Sequence, residues 1–118
     1  MRFVLSAFLF SVVASGAMAF DKVETRAQLM DLIGDKTIGI WLYGLKLNVR
    51  DSGKITGRAV GGKITGDWTW EDGYFCRTMY WGDREIPYNC QLVEIDGNKI
   101  RFTVDKGAGD DATFRITD

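Results

Sequence analysis

Trp68-Thr-Trp-Glu-Asp-Gly-Tyr-Phe-Cys76, continuing through Tyr80-Trp81 to Tyr88-Asn-Cys90, is the stretch that decides the fold. It contains three of the four tryptophans, three of the four tyrosines and both cysteines. Apolar and polar residues alternate along it, and Glu71-Asp-Gly73 and Gly82-Asp-Arg-Glu85 interrupt the alternation with turn residues. Period-two segments separated by such turns read as antiparallel strands. The stretch is therefore expected to form three strands pinned by a disulfide between Cys76 and Cys90.

The same grammar extends in both directions. Asp51-Ser-Gly53, Gly61-Gly62, Asp96-Gly97 and the run from Lys106 to Asp110 are further turn signals. Together they bound seven expected strands, at about 40–50, 54–60, 63–70, 74–81, 86–95, 98–105 and 111–117. Connections this short permit only antiparallel neighbours, because a parallel crossover needs about a dozen residues. Turn chemistry then sets the register. A three-residue turn ending in glycine implies a bulge, and Gly61-Gly62 implies a two-residue primed turn. On those rules Trp68 faces Cys76, Cys90 faces Phe102, and Gly57 pairs with Gly66.

That register places Leu47, Val49, Ile55, Trp68, Trp70, Tyr74, Cys76, Tyr80, Tyr88, Cys90, Phe102 and Phe114 on one apolar face. Arg77, Asn89 and Gln91 fall on the polar face, where Phe75, Met79, Trp81 and Val93 break the pattern. A long sheet with one apolar face must curl, and closure removes its edges. The expected fold is all-β with one short N-terminal helix: an up-and-down antiparallel meander of seven strands closing into a small lipocalin- or avidin-like barrel. Trp68, Trp70, Tyr74, Tyr80 and Tyr88 would then be the candidate ligand-binding residues of its interior. Phe75, Met79 and Trp81 would form a candidate partner surface outside.

Upstream, Thr25-Arg-Ala-Gln28 has the form of a capping box, with Leu29, Leu32 and Ile33 following at helical spacing. A helix over about 25–33 is expected, either covering the outer apolar patch or plugging one end of the barrel. Residues 1–19 read as a cleaved signal peptide: Arg2, an apolar run from Phe3 to Val13, and the small-x-small site Ala17-Met-Ala19. The run is shorter than the ~20 residues that cross a bilayer. Residues 20–118 would form a single domain, periplasmic or secreted, with no membrane span after signal cleavage. An oxidising compartment favours the disulfide.

Composition narrows the chemistry further. The formal net charge is −1, so there is no basic field to attract nucleic acid. The chain has no histidine, which removes the commonest general base and the commonest transition-metal ligand. Asp105, Asp110 and Asp111 flank a glycine loop, but their spacing is not that of a calcium loop. Asp67 and Glu71 lie on the outer face and in a turn, which is not the paired arrangement of a hydrolase. No catalytic residue, metal site or cofactor is expected.

Gly66-Asp-Trp-Thr-Trp-Glu-Asp-Gly-Tyr-Phe-Cys76-Arg, Tyr80-Trp81-Gly82, Tyr88-Asn-Cys90, Ile100-Arg-Phe and Asp105-Lys-Gly resemble a group of small exported bacterial β-barrel proteins. The resemblance covers nearly the whole chain after the signal, and some members carry the label dihydrodipicolinate reductase. That label implies a dinucleotide-dependent oxidoreductase, which needs a strand, a Gly-x-Gly-x-x-Gly/Ala turn and a helix meeting the pyrophosphate. Gly107-Ala-Gly-Asp-Asp-Ala112 fits by spelling, but too few residues follow it for the rest of the unit. The expected function is a non-enzymatic binding or interaction module with an unidentified protein partner. The alternative is a carrier of a small apolar or aromatic ligand inside the barrel.

Overall fold

A computed structural model describes residues 19–118; most of the expected signal peptide lies outside them. The elements are β1 (Asp21–Lys22), α1 (Arg26–Ile33), β2 (Thr37–Ile40), β3 (Leu45–Val49), β4 (Lys54–Ala59), β5 (Gly62–Glu71), β6 (Tyr74–Trp81), β7 (Arg84–Asp96), β8 (Lys99–Thr103) and β9 (Asp111–Thr117). Strands β2 to β9 pair in sequence order, each antiparallel to the next, and β9 returns to β2. The result is a closed barrel of eight strands, with β1 outside it on β7.

The expected count of seven strands is corrected to eight. The segment expected as one strand over 40–50 is interrupted by a 3₁₀ turn at Trp41–Tyr43, and Gly44 then takes a positive φ of 59°. This folds the chain back, so that Ile38 pairs with Leu47. The closing strand β2 begins before the expected boundary.

Helix α1 starts where the capping box placed it, with Gln28 N–H donating to Thr25 Oγ1 and Glu24 N–H to Gln28 Oε1. Leu29 and Ile33 are wholly buried in the same core as Ile38, Val49, Ile55 and Trp68. Arg26 binds Asp51, and Arg50 Nη1 donates to the carbonyl of Gly34. The helix therefore plugs the barrel end that carries the β3–β4 turn. Eight residues are too few for a helix to persist alone, so burial of this face holds it.

Register departs from expectation at four turns, one of them Gly82-Asp83, where Trp81 pairs with Arg84 and Ile86 with Met79. Across the β3–β4 turn, Val49 faces Ile55 and Leu47 faces Gly57. The next turn is Val60-Gly61, so Gly57 pairs with Ile64 and Gly66 with Ile55, a slip of two that keeps the same face inward. At Asp72-Gly73 the slip is one residue. Both take positive φ, 52° and 87°, which makes a two-residue turn of the primed kind. Trp70 therefore pairs with Phe75, and Trp68 with Arg77 rather than Cys76. The β7–β8 turn also closes on two residues, with Asp96 opposite Lys99 and Val93, not Cys90, opposite Phe102.

An odd slip turns a strand over. Phe75, Arg77, Met79, Gln91 and Val93 consequently face the interior, while Tyr74, Cys76, Tyr80, Tyr88 and Cys90 face outward. Cys76 and Cys90 remain directly opposite each other and form the disulfide, because the irregularity between Arg77 and Met79 turns β7 over beyond Ile86 to match β6.

Candidate functional site

The barrel interior holds a cavity of about 260 Å3. Its walls are mostly apolar: Ile38, Val49 and Ile55 on one side, Phe75, Phe102 and Phe114 on the other. The three phenylalanines continue a row that starts at Trp68, with ring centroids 5.4, 5.2 and 5.5 Å apart in sequence. Trp68, at the end of this row, is buried under α1, with its Nε1 donating to Arg50 O at 2.8 Å and Arg26 stacked on its ring. A second apolar chamber of about 220 Å3 shares Leu47, Met79 and Phe114 with the first and is also lined by Trp81 and Ile86.

Two polar side chains stand in the first chamber. Arg77 is 7% exposed and Gln91 is 7% exposed, and both line the cavity. They come from adjacent strands, where Phe75 faces Gln91 and Arg77 faces Asn89. Arg77 Nη1 donates to the carbonyl of Pro87 at 2.7 Å. That carbonyl is free because the ladder is interrupted between Arg77 and Met79, and Pro87, with no N–H, suits the irregularity. No carboxylate pairs with Arg77 among the described residues. Burial alone draws its pKa below the ordinary guanidinium value. The Gln91 carboxamide has no protein partner among the described residues.

The cavity opens where β8 is short. β8 pairs only with Leu92–Asp96 of β7, leaving the earlier half of β7 without a ladder partner on that side. Val104, Asp110 and Asp111 of the β8–β9 connection line this part, and both aspartates are exposed. Asp105 is held elsewhere, bonded to Asn89 through side chain and backbone at 2.8 and 2.9 Å.

The five aromatic residues expected to line the interior are not together. Trp68 and Trp70 pack in the core. Tyr74 lies outside between Lys22 and Lys106, and Tyr80 and Tyr88 are exposed. Of the expected partner surface, Phe75 and Met79 are interior and Trp81 is 37% exposed at the far end of the barrel. Sequence reading missed Arg77 and Gln91 because the three-residue turn put them on the wrong face. The signal that finds them is the Asp-Gly pair itself, which favours a two-residue turn. It also missed an apolar end, where Trp41, Leu42, Tyr43 and Val60 are all exposed.

No protein-family model, curated protein or solved structure matches this chain. Function therefore rests on the site itself. The glycine run at 107–109 leads into strand β9 rather than into a helix, so it offers no helix N-terminus to a pyrophosphate. Among the described residues no cluster of three or more Cys, Asp or Glu is arranged to hold a metal ion, and no helix is long and apolar enough to cross a membrane.

Proposed function

We propose that this protein is an exported, non-enzymatic β-barrel that encloses a small, largely apolar ligand. The observation that carries the reading is the apolar cavity of about 260 Å3 with two convergent polar side chains. Binding sites for small molecules have this composition: apolar walls and few polar groups that fix orientation. Placement inside the barrel is the lipocalin-like mode, in which eight strands leave room for one small ligand. The disulfide and the signal-like N-terminus support export to the periplasm or beyond. The exposed Trp41, Leu42 and Tyr43 support a second reading, a protein partner docking on the barrel end.

Native mass spectrometry of protein taken directly from the producing cell tests the first reading. Wild type is expected to retain a small-molecule adduct. Ala112→Phe, which fills the cavity from its β9 wall, is expected to lose the adduct while remaining folded. An adduct retained undiminished by the folded variant contradicts an enclosed ligand.

A further inference from the structure

We infer that the barrel interior is a site for an amphipathic carboxylate, its acid group bound between Arg77 and Gln91 and its apolar tail directed past Met79 into the second chamber. The inference rests on the enclosed-ligand reading and deepens it. A guanidinium desolvated without a counter-charge is costly, and proteins rarely keep one unless something pairs with it. Among the described residues, only one of its five N–H donors has a protein acceptor, Pro87 O. A planar carboxylate matches the remaining fork, and an adjacent carboxamide donor suits the same anion.

The charges facing Arg77 are consistent with this class. Asp110 and Asp111 line the same cavity but are exposed, where water screens them. They repel an anion weakly at the opening, whereas Arg77 attracts it in a low-dielectric interior. The second chamber presents no polar surface and is bounded by Leu45, Leu47, Ile64 and Ile86, as an alkyl tail requires. A water's share of liquid volume is about 30 Å3, so each chamber suits a body of roughly seven to nine heavy atoms.

Calorimetric titration of the folded protein with octanoate and with 1-octanol tests the assignment. Octanoate is harder to desolvate than octanol, so an empty interior without a cation would prefer the alcohol. Wild type is expected to bind octanoate about tenfold or more tightly than octanol, the effect of one to two charge-assisted hydrogen bonds. Arg77→Met is expected to reverse that preference, and Gln91→Leu to narrow it, with thermal melting confirming that both variants fold. A merely structural Arg77, bracing the Pro87 carbonyl, would leave the ratio unchanged in Arg77→Met while lowering its melting temperature. Octanol bound as tightly as octanoate by wild type overturns the carboxylate assignment and leaves the enclosed-ligand reading standing. Failure of both to bind overturns the two together.

Discussion

Cys76 lies directly opposite Cys90 in the ladder joining β6 to β7, and their disulfide ties those strands on the side facing away from the cavity. Phe75 and Arg77 flank Cys76 in the chain and point inward, as does Gln91 beside Cys90. The bond therefore holds together the two strands that present both polar groups. It closes a loop of about 15 residues, for which chain entropy gives ~3 kcal/mol. Replacing both cysteines with alanine is expected to lower unfolding stability by about that amount in urea titration. A loss below about 0.5 kcal/mol would contradict a stapling role.

Leu29 and Ile33 are the helix residues that seal the barrel end. Leu29→Ala should cost roughly 2–5 kcal/mol, the range for a buried leucine that leaves a cavity. Because helix α1 depends on this burial, circular dichroism and amide exchange are expected to show its amides losing protection before those of β5 and β6. Uniform protection loss would contradict a separately opening plug.

Gly66 faces the interior, and a Cβ there would meet the carbonyl oxygen of Thr78 and the Cα of Met79. Both are backbone atoms of β6, so the strand itself must shift. Gly66→Ala is expected to destabilise by about 1–3 kcal/mol, as overpacking does. A neutral effect in thermal unfolding would show that the two strands are not so closely apposed.

Lys36 and Asp118 join the chain before β2 to the residue after β9, at 2.6 Å. The hydrogen bond and charge of Lys36 hold the Asp118 carboxyl below the usual carboxylate range, and Asp118 raises the Lys36 ammonium. A depressed carboxylate stabilises above its unfolded-state pKa, and that contribution is lost as pH falls through the folded-state value. The raised ammonium contributes below its ordinary pKa and is lost as alkaline pH passes its folded value. Wild type is therefore expected to melt slightly higher than Asp118→Asn at neutral pH and to converge with it in acid. The exposed setting keeps the difference small. A difference that grows in acid would contradict the pairing.

Much of the barrel was legible because turn residues and period-two alternation are local signals. The sequence order of the strands, the helix cap at Thr25 and the Cys76–Cys90 pairing all follow from neighbours in the chain. The closing strand was not legible, since Ile40-Trp-Leu-Tyr43 is apolar and β-prone yet breaks into a 3₁₀ turn at Gly44. The facing of β6 and β7 was not legible either. It depended on whether Glu71 or Asp72 begins the turn, and a difference of one residue exchanged Tyr74, Cys76 and Cys90 for Phe75, Arg77 and Gln91 inside. Aromatic content favoured the wrong choice, because the outward tyrosines read as core. The candidate site was lost with that one residue.

The central claim is that the face bearing Phe75 and Met79 encloses a ligand. Isotope-filtered NMR on carbon-13-labelled protein with unlabelled 1-octanol tests it most directly. The account predicts intermolecular NOEs from the alkyl chain to the Met79 methyl and to ring protons of Phe102 and Phe114, and none to Tyr80 or Tyr88. NOEs confined to those exposed tyrosines, or none at saturating octanol, would contradict it.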